Sequence, residues 1–207
     1  MIKKIIGQLY LAGLLITHFT ALSQDLQFDR RTVNEIVSFE KGQSGIVIDS
    51  IESFGILRNP HIDINTLDKT EAYIFKREND SFVPQLHVWY HFDIKTKQIK
   101  GIRYNWGLYN PSFNPTKERN KLELLIKREK EFKNKYKSLR QELTDLFGDP
   151  IKSNTLADNK RSLIEETFWI NSDKIIGLSI RFDRQIVEIP GAGIISDFHI
   201  EIMTTFK

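Results

Sequence analysis

A stripe of large apolar side chains, spaced three and four residues apart, runs through the lysine-rich middle of this chain. The stripe consists of Leu122, Leu125, Phe132, Tyr136, Leu139, Leu143 and Leu146, and Glu129 interrupts it. This spacing predicts one long amphipathic helix over about residues 117–147. Gly148, with Pro150 shortly after it, marks the predicted end. A helix with one apolar face must be covered by a second layer, which the rest of the chain has to supply.

Segments typical of strands lie on both sides of this helix. They are residues 46–48, 72–77, 85–93 and 102–108 before the helix, and residues 165–170, 178–182 and 198–206 after it. In residues 85–93, 102–108, 178–182 and 198–206 apolar and polar side chains alternate, and this period of two predicts strands with one buried face. Strands, then a helix, then strands indicate an α+β fold with an antiparallel sheet. We expect the helix to pack on one face, between an N-terminal set of strands and a C-terminal three-stranded meander.

The N-terminus has the pattern of an export signal. Two lysines precede an apolar run from Ile5 to Leu22, and Ala21 and Ser23 are the small residues that a signal peptidase reads. This pattern predicts a signal peptide that is cleaved between Ser23 and Gln24. An uncleaved N-terminal anchor is the alternative. We therefore expect the protein to be exported and to act in the periplasm or as a secreted protein.

Removal of the signal changes the charge of the remaining chain, which we interpret as a single domain over residues 24–207. The whole sequence has 30 Lys and Arg against 27 Asp and Glu, so losing Lys3 and Lys4 leaves 28 against 27, or +1. A nearly neutral chain has no general attraction to nucleic acid, and we expect no such partner. No second apolar run is long enough for a transmembrane helix, so the mature chain is predicted to have none.

Two histidines flank a tryptophan in one predicted strand: His87, Trp89 and His91. Four residues of a strand span about 13 Å, too far for both imidazoles to bind one metal ion. We therefore predict no metal site here and interpret Trp89 and His87 as part of an aromatic surface. The absence of cysteine excludes thiol catalysis, and no catalytic spacing occurs locally, so we expect no cofactor and favour a protein that is not an enzyme.

Three aromatic residues follow closely at the end of the next predicted strand: Trp106, Tyr109 and Phe113. Pro111 and Pro115 make this segment stiff, and aromatic side chains on a stiff loop bind ligands at a low cost in entropy. A protein, a peptide or a glycan would suit such a loop. The alternative is that Trp106 ends a core strand while the other two aromatics fasten the loop to the domain.

The helix also has a basic excess, because residues 117–147 contain ten basic and six acidic side chains. Such a face could attract an anionic partner or a membrane surface. A solvated face with Glu–Lys pairs three and four residues apart is the interpretation that we favour.

Residues 97–104 resemble residues 175–182. A duplicated strand unit would explain this likeness, and so would the shared composition of two hairpins.

The helix ends on Leu146-Phe147-Gly148-Asp149-Pro150, and the strand that contains Trp169 is followed by the alternating residues of 178–182. In these features the chain resembles small exported proteins of Bacteroidota-type bacteria over residues 120–206. The resemblance implies a periplasmic or secreted setting and transfers no functional residues. We therefore expect an exported, non-catalytic binding or interaction protein of the cell envelope. A structural accessory subunit of an envelope complex and a hydrolase with a dispersed active site are the alternatives.

Overall fold

The computed structural model describes Leu26 and residues 28–43, 45–53, 70–77, 82–107, 115–186, 188–189, 193–194 and 196–207. The helices are α1 (Val33–Gly42), α2 (Pro115–Ile126) and α3 (Glu129–Phe147). The strands are β1 (Gly45–Ser53), β2 (Thr70–Arg77), β3 (Leu86–Asp93), β4 (Ile99–Gly107), β5 (Lys152–Asp158), β6 (Ser162–Ile170), β7 (Lys174–Asp183), β8 (Glu188–Ile189), β9 (Gly193–Ile194) and β10 (Phe198–Phe206).

Eight strands form one sheet in the order β1-β2-β3-β4-β10-β7-β6-β5, and β8 pairs with β9 separately. All neighbouring strands in the sheet are antiparallel. The predicted α+β class with an antiparallel sheet is thereby confirmed. The four N-terminal strands overlap the four strand segments predicted before the helical region, and β1 extends well beyond the predicted residues 46–48.

The order of elements repeats along the chain. Helix α1 is followed by the four strands β1 to β4, and α3 is followed by β5, β6, β7 and β10. The two halves meet where β4 pairs with β10 at the centre of the sheet. The similar segments 97–104 and 175–182 fall on β4 and β7, the fourth strand of one half and the third of the other. That likeness in sequence therefore does not correspond to equivalent positions in the repeat.

The helices cover one face of the sheet, which we call the first face. Buried side chains from all three helices and from the central strands form one hydrophobic cluster. Representative members are Ile36 of α1, Leu122 of α2, Leu139 of α3, Val88 of β3 and Ile202 of β10. Because side chains alternate along a strand, the residues between those of the cluster lie on the opposite side, which we call the second face.

The single long helix predicted over residues 117–147 is not confirmed, since the chain forms α2 and α3 with a break at residues 127–128. Glu129, the interruption in the stripe, begins α3 and accepts hydrogen bonds from Arg184 Nε at 3.0 Å and Nη2 at 2.6 Å. Arg184 also contacts Asp158 at the end of β5. The hydrogen bonds from Arg184, which outweigh the effect of partial burial, lower the pKa of Glu129 to about 2. This carboxylate therefore ties the start of α3 to the loops of the C-terminal strands.

The C-terminal half differs from the predicted three-stranded meander because β5 adds a fourth strand and β8–β9 a short hairpin. Strand β5 lies at the edge of the sheet and is exposed along most of its length, so it lacks the alternation of a half-buried strand. The stripe also ends earlier than predicted, since Leu146 is exposed. Gly148 does cap α3, with φ of 81°.

None of the described helices is long and apolar enough to cross a membrane. The predicted signal peptide, residues 1–23, lies outside the described residues.

Candidate functional site

The central strands divide their side chains between the two faces. In β3, Val88, Tyr90 and Phe92 belong to the hydrophobic cluster on the first face. His87, Trp89 and His91 alternate with them and therefore lie on the second face. This arrangement agrees with the predicted strand and places the two histidines and the tryptophan side by side.

Trp89 is joined on the second face by a charged pair from the next two strands. The guanidinium carbon of Arg103 lies 5.0 Å from the centre of the Trp89 ring, within the range of a cation–π contact. Arg103 Nε donates to Glu201 Oε2 at 2.5 Å, and Asn105 Nδ2 donates to the same oxygen at 3.1 Å. We call Trp89, Arg103, Asn105 and Glu201 the second-face cluster.

The strand register brings this cluster together. Trp89 of β3 is directly opposite Arg103 of β4, and Asn105 of β4 is directly opposite Glu201 of β10. Opposed residues of antiparallel strands have their Cβ atoms about 5 Å apart, so their side chains meet. The cluster is partly accessible, because 30% of the Arg103 side chain and 12% of the Glu201 side chain are exposed.

The two histidines beside Trp89 are buried, whereas side chains of an exposed aromatic surface would be accessible to solvent. Burial, with a smaller contribution from Lys76, lowers the pKa of His87. Burial lowers the pKa of His91 to about 4, and the charge of Arg103 acts in the same direction. The His91 ring centre lies 6.1 Å from that of Trp89. Both imidazoles are therefore neutral at pH 7.

A second polar group lies at the start of β10. His199 Nδ1 is 2.5 Å from Asp197 Oδ1, and the backbone N–H of Asp197 donates to Asp183 Oδ2 at 2.6 Å. Burial raises the pKa of Asp183. A carboxylate that holds an imidazole is one part of a general base, but in the described part of the chain no hydroxyl group hydrogen-bonds to His199.

The structure separates the predicted site residues from one another. Trp106 is 1% exposed and belongs to the hydrophobic cluster, as in the alternative interpretation that it ends a core strand. Tyr109 and Phe113 lie outside the described residues. Trp89 and His87 lie together on the second face, and Trp89 is only partly buried. The surface hypothesis therefore rests on Trp89 and its neighbours, without Trp106.

We found no group of three or more His, Asp or Glu side chains placed to hold a metal ion within the described ranges. His87 and His91 are separated along β3 as the strand spacing predicts.

The basic helical region carries several ion pairs within its own turns. Arg119 pairs with Glu123, and Lys133 pairs with Glu129 at 2.9 Å. Both pairs have the four-residue spacing that stabilises an exposed helix face. They support the interpretation of this region as a solvated face.

A buried ion pair between α1 and β2 was not predicted from the sequence. Arg77 of β2 donates through Nε and Nη2 to the carboxylate of Glu40 in α1, at 3.0 and 2.6 Å, and Tyr90 Oη donates to Glu40 Oε1 at 2.5 Å. Glu40 is fully buried, and Gly45 permits its approach, since a Cβ there would lie 2.6 Å from Glu40 Oε2. Because it is enclosed, this group fastens α1 to the sheet and is unsuited to binding a ligand.

Of the features that were not predicted, the start of α1 has a recognisable pattern in the sequence. Thr32 and Glu35 form a capping box at the start of α1, a pattern that is readable from Thr-x-x-Glu before an apolar residue. Arg103 and Glu201 have no such signal, because they are 98 residues apart in sequence and only the pairing of β4 with β10 joins them.

No known protein family, curated protein or solved structure matches this chain.

Proposed function

We propose that this protein is an exported, non-catalytic binding protein of the cell envelope, and that it contacts a protein partner with the second-face cluster. One observation carries the proposal: a partly exposed Trp89 and Arg103 are held against each other on the rigid centre of the sheet. Tryptophan and arginine are the side chains that most often supply the binding energy of protein interfaces.

The cluster is already ordered before any partner arrives. Glu201 holds the Arg103 guanidinium, and the Arg103 guanidinium lies over the Trp89 ring. Side chains fixed in this way lose little conformational entropy on binding, which increases the affinity that each contact provides. This pre-organisation supports a binding role for these residues in addition to their packing.

The charges around the cluster favour a partner with both signs of charge. Arg181 and Glu166 extend the second face across β7 and β6, with their side chains 3.9 Å apart. Asp197 and His199 continue it at the start of β10. A surface of mixed charge suits a protein better than a polyanion such as nucleic acid.

The pattern of residues 1–23 supports the export part of the proposal. Leu26, the first residue that the structure describes, follows the predicted cleavage site and is buried.

The first test is the affinity of the mature chain, residues 24–207, for a partner recovered from an envelope extract and then purified. The Trp89→Ala variant is expected to bind at least about 30-fold more weakly, because a central interface tryptophan contributes about 2 kcal/mol or more. Isothermal titration calorimetry measures this change directly.

Leu124→Ala is the matched control, since Leu124 is an exposed side chain on α2, among the helices of the first face. Its affinity for the purified partner should equal that of the unchanged chain. The circular dichroism of both variants establishes that they are folded. Equal affinities of Trp89→Ala and the unchanged chain would contradict the proposed site.

A further inference from the structure

The first described residues of the chain are packed into the domain. We call Leu26 together with residues 28–32 the N-terminal strap. Leu26 and Phe28 are buried members of the hydrophobic cluster. The Phe28 ring lies 5.2 Å from that of Phe147 in an edge-on contact and 6.3 Å from that of Tyr104. The strap therefore contacts both α3 and β4.

Hydrogen bonds and an ion pair hold the strap in place. Lys174 Nζ of β7 donates to the Phe28 carbonyl at 2.8 Å and lies 3.5 Å from Asp29 Oδ1. The backbone N–H of Ile99, in β4, donates to the Arg31 carbonyl at 3.1 Å. Arg30 Nη2 donates to the carbonyl of Lys207 at 2.5 Å. These contacts join the two halves of the sheet, so the final stability of the domain depends on a docked strap.

The strap begins three residues after Ser23, at the predicted processing site. Cleavage between Ser23 and Gln24 leaves two residues before the buried Leu26. An extended chain of three residues spans at most about 10 Å. While the apolar signal is held in a membrane, Leu26 can therefore move only about that far from the membrane surface.

We propose that removal of the signal peptide is the step that allows the strap to dock, so that processing controls the last stage of folding. The inference rests on the proposed export. A membrane signal peptidase hydrolyses the Ser23–Gln24 bond with one water molecule, which gives a carboxylate on Ser23 and a free amino group on Gln24. The new N-terminus is no longer tethered, and Leu26 and Phe28 enter the hydrophobic cluster.

The order of events follows from the same geometry. Hydrolysis requires the bond and the chain beside it to be accessible to the enzyme, and proteins are cut in segments that are not packed. A docked strap would bury the third residue after that bond and withdraw it from the enzyme. Cleavage therefore comes first and docking second.

The test compares three full-length chains in cells: the unchanged chain, a cleavage-blocked chain and a blocked chain with a spacer. The block is Ala21→Phe with Ser23→Phe, which removes both small residues that the peptidase reads. The spacer is a flexible Gly-Ser segment of about twelve residues after position 23, which adds about 20 Å of average reach. Intact mass reports processing, and the rate of limited proteolysis at the membrane reports docking.

The blocked chain should be digested at least about 10-fold faster than the processed chain, and the spacer should restore the slower rate. In the purified mature chain, Phe28→Ala should reproduce the fast digestion, whereas Leu124→Ala should not.

Two outcomes contradict the inference in distinguishable ways. In the first, the unchanged chain is processed but the blocked chain without a spacer is digested slowly. This result would show that processing does not control docking, and it would leave the proposed export intact. An unchanged chain that retains Met1 to Ser23 overturns both the proposed export and this inference.

Discussion

Replacing Glu40→Gln is expected to lower the free energy of unfolding by about 3–5 kcal/mol. The substitution keeps the shape of the side chain and removes the charge that balances Arg77, of which only 5% is exposed. Burial by itself would lower the pKa of Arg77, but the hydrogen bonds to Glu40 outweigh it and raise the pKa above its usual value. The guanidinium therefore stays charged in a buried position and loses the carboxylate charge of Glu40 that stabilises it. Urea unfolding at pH 7, followed by circular dichroism, measures the loss.

Glu35→Gln is the matched control in the same helix. Glu35 is exposed and accepts a hydrogen bond from the backbone N–H of Thr32 at 2.7 Å, so its replacement should cost far less stability than Glu40→Gln. The double variant Glu40→Leu with Arg77→Met should recover most of the stability, because it replaces both charged members of the buried pair with apolar side chains. A Glu40→Gln chain as stable as the Glu35→Gln chain would show that the buried pair does not secure α1.

The second large effect is a loss of stability in acid that depends on His91. Its pKa is about 4 in the folded chain, against the ordinary value of 6.5. The neutral ring therefore contributes stability that is fully present above pH 6.5 and is lost as the pH falls toward 4. Between pH 7 and pH 4.5 this one group should remove about 2 kcal/mol from the free energy of unfolding.

The His91→Phe variant isolates this contribution, since it keeps an aromatic ring beside Trp89 and cannot be protonated. Urea unfolding at both pH values should show a fall that is smaller by about 2 kcal/mol in the variant. Leu124→Ala, exposed on α2 and without a titratable group, is the control and should keep the full fall. If His91→Phe and the unchanged chain lose equal stability between these pH values, His91 is not the group responsible.

The strands were predictable because alternation reports burial on one face. The segments 85–93 and 198–206 show clear alternation, and both form strands with one face in the hydrophobic cluster. Strand β5 has no such pattern, because an edge strand with most side chains in solvent has little need for apolar residues. Sequence periodicity therefore identifies the centre of this sheet better than its edge.

The break between α2 and α3 could not be predicted from the spacing of apolar residues. Periodicity continues across it, so spacing alone predicts one helix, and the only mark of the break is the polar Glu129 in the apolar stripe. Its partner Arg184 is 55 residues further along the chain. A contact between such distant residues cannot be read from either local segment.

The candidate site was predicted only in part for the same reason. Trp89 and His87 could be placed on one face by counting along β3. Whether Trp106 faces solvent or core depends on which face the helices cover, and the alternation of β4 is the same in both cases. Arg103 and Glu201 became candidates only once the β4–β10 register was known.

Hydroxyl-radical labelling of the mature chain, with and without its purified partner, tests the proposed binding surface most directly. Trp89 and Met203 lie beside Arg103 in the register, are partly buried, and have side chains that oxidise readily. The proposal predicts that the partner reduces oxidation of both several-fold and leaves labelling of Leu124 and Leu146, exposed on α2 and α3, unchanged. Unchanged oxidation of Trp89 and Met203, with protection of the two helix leucines, would contradict it.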